Sequence, residues 1–100
     1  MTIDLERFTS TLGAGQPPSG FTSALQALWW DAKGDWDKAH KCVDSCEDEA
    51  GMRVHAYLHR KEGDLSNAAH WYRRAGRTAP GVTLDAEHKM LLHDLLGLKP

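Results

Sequence analysis

The chain has 100 residues, and none of its apolar runs approaches the roughly 18 residues that a membrane-crossing helix needs. Its mean hydropathy is −0.53, so no membrane partner is expected. Cysteine is scarce: only Cys42 and Cys46 are present, four residues apart. On one helix that spacing closes a tiny loop and restricts the side chains, so free thiols are expected, as in a reducing compartment. Met1 to Arg7 contain no cationic region followed by an apolar stretch, so a cytoplasmic location without a secretory signal is expected. Alternating Val/Ile/Thr segments are missing, which argues against a sheet. Walker-type Gly-x-x-x-x-Gly-Lys-Ser/Thr, Gly-x-Gly-x-x-Gly and Gly-x-Ser-x-Gly motifs are missing too, and with them the common phosphate, dinucleotide and hydrolase signatures. A net charge of −2 gives no general affinity for polyanions.

What is present is helical periodicity broken by glycine and proline, within a length that suits one domain, residues 1–100. A first helix is expected over about 4–12, stopped by the glycines and prolines of Gly13 to Pro18. Ser19 is a candidate cap for a second, from Phe21 to Lys33, along which Phe21, Ala24, Leu25, Leu28 and Trp29 recur at three- and four-residue spacing. Gly34 ends it, and Asp35 is placed to cap a third helix carrying Trp36, Ala39, Val43 and Cys46. Ser45 and Asp48 resemble a capping box for a fourth helix ending at Glu62. Asp64 follows Gly63 as the cap of a fifth, with Leu65, Ala68, Trp71, Tyr72 and Ala75. A sixth, over about 83–97, carries Leu84, His88, Leu91, Leu92 and Leu95. The fold class expected is therefore all-α, with about six short helices.

Ala27 to Ala39 align without gaps on Ala56 to Ala68, an offset of 29 residues. The shared skeleton is Ala, six residues, Gly-Asp, a large apolar residue, two further residues, Ala. Small residues allow helices to approach, glycine relieves the turn, Asp caps the next helix, and the large residue (Trp36 or Leu65) is expected to plug the gap. Here the sequence resembles the tetratricopeptide repeat: Ala56, Gly63, Leu65, Ala68, Tyr72, Ala75 and Pro80 match its small, turn, aromatic and closing positions, as do Ala27, Trp30, Gly34, Trp36, Ala39 and Val43. The offset is shorter than that family's period of about 34 residues, and Cys46 stands where a small alanine is usual. The resemblance implies two helical hairpins, at about 20–48 and 49–80, flanked by terminal helices and serving protein interaction. The segment from His55 to Gly76 is also similar to one in small proteins without an assigned activity, which implies no chemistry. Trp29, Trp30, Trp36, Trp71, Phe21 and Tyr72 are the large candidates for the core, each offering roughly 150–250 Å².

Charge is divided unevenly. Residues 1–50 hold nine acidic and four basic residues, whereas 51–100 hold five acidic and eight basic. The resemblance puts partner peptides on the first helix of each hairpin, where Arg53, Tyr57, Arg60 and Lys61 would be exposed. An acidic or carboxylate-bearing peptide suits them, through bidentate arginine contacts. Nucleic acid is not expected, because the acidic half repels phosphate.

His55 and His59 lie one helical turn apart, a spacing two metal ligands can use, with His70 a possible third. The hairpin resemblance turns His55 and His59 toward the partner helix and His70 away, so satisfied, packed histidines are expected rather than a metal. His40, Cys42 and Cys46 form another loose group without a second Cys/His pair nearby, and the cysteines are expected as small buried residues. Glu62, Asp64 and Asn67 with His59 and Arg60 are suitable types for acid–base chemistry. A capped turn, with Glu62 paired to Arg60, Arg73 or Arg74, accounts for them without catalysis. The leading expectation is an interaction module, monomeric or homodimeric, without cofactor or catalytic residues. The alternatives are a small enzyme or metal-binding protein centred on His55, His59, Glu62 and Asp64, and a structural subunit dimerising through the last helix.

Overall fold

Glycine–aspartate turns organise the chain, as seen in a computed structural model that describes residues 4–97. Met1 to Ile3, which open the segment read for a signal, lie outside those residues. The helices are α1 (Leu5–Ser10), followed by a short 3-10 turn (Thr11–Gly13), α2 (Ser23–Ala32), α3 (Trp36–Val43), α4 (Glu49–Glu62), α5 (Leu65–Arg74) and α6 (Leu84–Leu95). The chain is all-α, with no strand among the described residues, and no helix is long and apolar enough to cross a membrane.

The two turns have matching geometry. Gly34 and Gly63 sit at φ +84° and +91°, a region that only glycine enters without strain. Asp35 and Asp64 follow with nearly matching backbone angles, and each carboxylate accepts the amide N–H three residues on, from Lys38 and Asn67. The chain therefore doubles back twice, pairing α2 with α3 and α4 with α5. Ala27, Ala39, Ala56 and Ala68 are all buried, giving each pair the close approach the repeat requires. The plug position differs between the pairs. Trp36 is half-buried and donates its indole N–H to the Leu58 carbonyl of α4 at 2.8 Å, whereas Leu65 is 66% exposed and plugs nothing.

Two capping expectations are corrected. Thr22, not Ser19, caps α2, because its hydroxyl accepts the Leu25 amide; Pro18 and Gly20 still belong to the preceding turn. Asp48 caps α4 by itself, accepting the Gly51 N–H, so Ser45 forms no capping box.

The core joins Phe8, Phe21, Leu25, Leu28, Trp29, Val43, Val54, Leu58, Leu91 and Leu92, while Tyr72 with Ala56 and Ala68 fills the second pair. Trp30 and Trp71 are half-buried, and so are the free thiols Cys42 and Cys46, which are less enclosed than expected. Helix α4 is central: every residue from Gly51 to His59 is buried, against α5 on one side and α2, α3 and α6 on the others.

Candidate functional site

Burial of α4 on all sides changes what its polar residues do. Arg53 and Tyr57, expected at an exposed peptide-binding face, are buried because α6 lies across that face. Arg53 pairs with Asp94 of α6 at 3.0 Å. Arg60, half-buried, pairs with the buried Glu87 of α6 at 2.6 Å and also donates to the Val82 carbonyl. Tyr72 completes Glu87 with a 2.5 Å hydrogen bond, so this carboxylate is held by a cation and a hydroxyl. Burial, together with that bond, pushes the Tyr72 phenol above its ordinary range. Tyr57 donates to Asp31 at 2.7 Å, and burial followed by that carboxylate pushes its phenol up as well. Lys61 is exposed but reaches the buried Asp31 at 2.7 Å, with His88 3.6 Å away. Of the four expected surface residues only Lys61 remains exposed. No spacing in the sequence marks Asp31 and Glu87, the two buried carboxylates that engage Tyr57, Lys61 and Arg60.

The histidines converge on the other side of α4. His55 and His59, one turn apart, face His40 of α3, and one nitrogen from each of the three lies within 4.8 Å of the others. His40 Nε2 and His55 Nε2 are 3.1 Å apart. Two nitrogens bound at 2.0–2.1 Å to one tetrahedral ion would be about 3.3 Å apart, so this pair already has the spacing of joint ligands. Glu62 approaches His59 Nδ1 at 2.6 Å instead of pairing with an arginine, and leaves Nε2 as the nitrogen His59 can offer. Trp36 stacks on the His40 ring at 4.9 Å and Trp71 on the His55 ring at 4.1 Å, which fixes both imidazoles from outside.

The expected satisfied histidines are corrected at one atom. His55 is 3% exposed, and its buried Nδ1 has no hydrogen-bond partner among the described residues. Such an atom loses hydration without compensation, which costs about 1–3 kcal/mol. Burial, and then the neighbouring His40 and His59, lower the His55 pKa to about 4. Its imidazole is therefore neutral, the form that binds metals.

His70 is exposed on α5 and outside the cluster, as the hairpin geometry implied, and Cys42 and Cys46 do not join His40. Asp64 lies near His59 and Glu62, but one of its oxygens is engaged as the α5 cap, with Asn67 at its backbone N–H. Comparison with protein-family models, curated proteins and solved structures finds no match for this chain.

Proposed function

We propose that this chain is a small helical metal-binding protein, holding a late first-row divalent cation between its helix pairs through His40, His55 and His59. One observation carries the reading: three imidazoles from two helices converge, with the Nε2 atoms of His40 and His55 3.1 Å apart. Neutral imidazole suits Zn²⁺, Co²⁺, Ni²⁺ and Cu²⁺, while Mg²⁺ and Ca²⁺ prefer oxygen. The carboxylate of Glu62 on Nδ1 of His59 is the outer partner that metal-binding histidines use to fix ring and tautomer. Tag-free protein mixed with Zn²⁺ and dialysed should retain one ion per chain. His40→Ala should abolish retention, and Glu62→Gln should weaken it by about 10–100-fold. No retained ion would overturn the reading.

The second reading is the tetratricopeptide-like cytoplasmic adaptor for an acidic segment at Arg53, Tyr57, Arg60 and Lys61. It is favoured by the acidic character of what covers that face, Asp94 and Glu87 of α6. An acidic partner would have to displace a helix whose Leu91 and Leu92 belong to the core, so this reading ranks below the first. Saturable binding of an acidic peptide to the intact chain, lost in Lys61→Glu, would restore it; absence of binding removes it.

A further inference from the structure

Three ligands leave a tetrahedral ion one position short. The fourth has few sources among the described residues, and Asp44, the carboxylate whose charge reaches His55, lies outside the group of three. Glu62 is engaged by the Nδ1 of His59, and Asp64 caps α5. Cys46 points its thiol at the Cys42 carbonyl, 3.6 Å away, and His70 stands exposed outside the cluster.

We infer that the His40–His55–His59 centre is an open one, whose fourth position takes water or a small monodentate anion; this rests on the three-histidine reading above. Closed structural sites supply four protein ligands, whereas sites that exchange an external ligand supply three. Charge favours an anion: three neutral imidazoles leave the two positive charges of the ion uncompensated in their own sphere, with Glu62 one ring away. Size favours a small one. Trp36 and Trp71 cover the outer faces of His40 and His55.

Cobalt and azide test this directly. Co²⁺ added to the intact, tag-free chain should give the visible absorption of a four-coordinate ion, and His40→Ala should lose it. Sodium azide should then shift that band and add an azide-to-cobalt charge-transfer band, saturating at one azide per cobalt. A cobalt band indifferent to azide overturns the open position while leaving the three-histidine site standing; a changed band in His70→Ala would then identify the protein group that closes it. Absence of any cobalt band overturns the metal reading, and this inference with it.

Discussion

Arg60 of α4 and Glu87 of α6 meet at 2.6 Å, with the Glu87 residue only 3% exposed. Removing one member of such a pair strands the other's charge in the interior, which typically costs about 3–5 kcal/mol. Arg60→Met should therefore lower the urea midpoint steeply, while Arg60→Met combined with Glu87→Leu should recover much of the loss. A double variant whose loss equals the sum of the Arg60→Met and Glu87→Leu losses would mean that the pair is not coupled.

Gly51 lies inside α4, where alanine ordinarily gains about 0.5–1 kcal/mol over glycine. Packing reverses the sign here. A methyl at this position would collide with the Cys46 Cβ and come within 2.6 Å of the Asp48 cap oxygen. Gly51→Ala should destabilise by about 1–3 kcal/mol, as overpacked sites do. Thermal unfolding measures it, and a raised midpoint would contradict the packing.

The twin turns predict twin costs. Gly34→Ala and Gly63→Ala both force a side chain to positive φ, with open space around the new Cβ in each case. Each should cost about 1–2 kcal/mol from backbone strain alone. Denaturant titration of the two variants should agree closely.

Metal-free protein should lose stability in mild acid. Burial, and then the charges of His40 and His59, lower the His55 pKa from 6.5 to about 4, with Asp44 opposing and His70 adding the least. The unfolded chain then binds a proton between those values that the folded chain does not. The contribution is fully present above pH 6.5 and is lost as pH falls toward 4, of the order of 3 kcal/mol in all. Unfolding free energy measured across this window should fall less in His55→Phe.

A bound ion should raise the melting temperature. Its ligands come from α3 and α4, in different helix pairs, and are brought together only in the folded chain. Zn²⁺ at about 100 times its Kd should add about 2.7 kcal/mol, roughly 11–22 °C for a domain of this size. His40→Ala should show no zinc-dependent shift.

Local features were legible in the sequence. The Gly34–Asp35 and Gly63–Asp64 turns need only neighbouring residues to form, and their caps were readable from spacing. The α6 cover was not, because Arg53 and Arg60 have a polar character that suggests solvent, and Asp94 and Glu87 meet them from 41 and 27 residues away. Proximity along the chain groups His40 with Cys42 and Cys46 and conceals that it faces His55. A usable signal did exist: His40 lies four residues after Trp36, on the same side of α3, and Trp36 is the plug aimed at the second pair. The orphaned Nδ1 of His55 depends on what every neighbour offers, so no pattern along the chain encodes it.

Trp36 joins these levels, since its indole grips the Leu58 carbonyl while its ring lies on His40. The chain thus carries an optical gauge at the seam between its two halves. The part of the four-tryptophan emission that disappears in Trp36→Phe should change colour and intensity if the halves slide apart, and a paramagnetic cation lodged among the imidazoles should quench it, so filling of the seam can be followed without any added label.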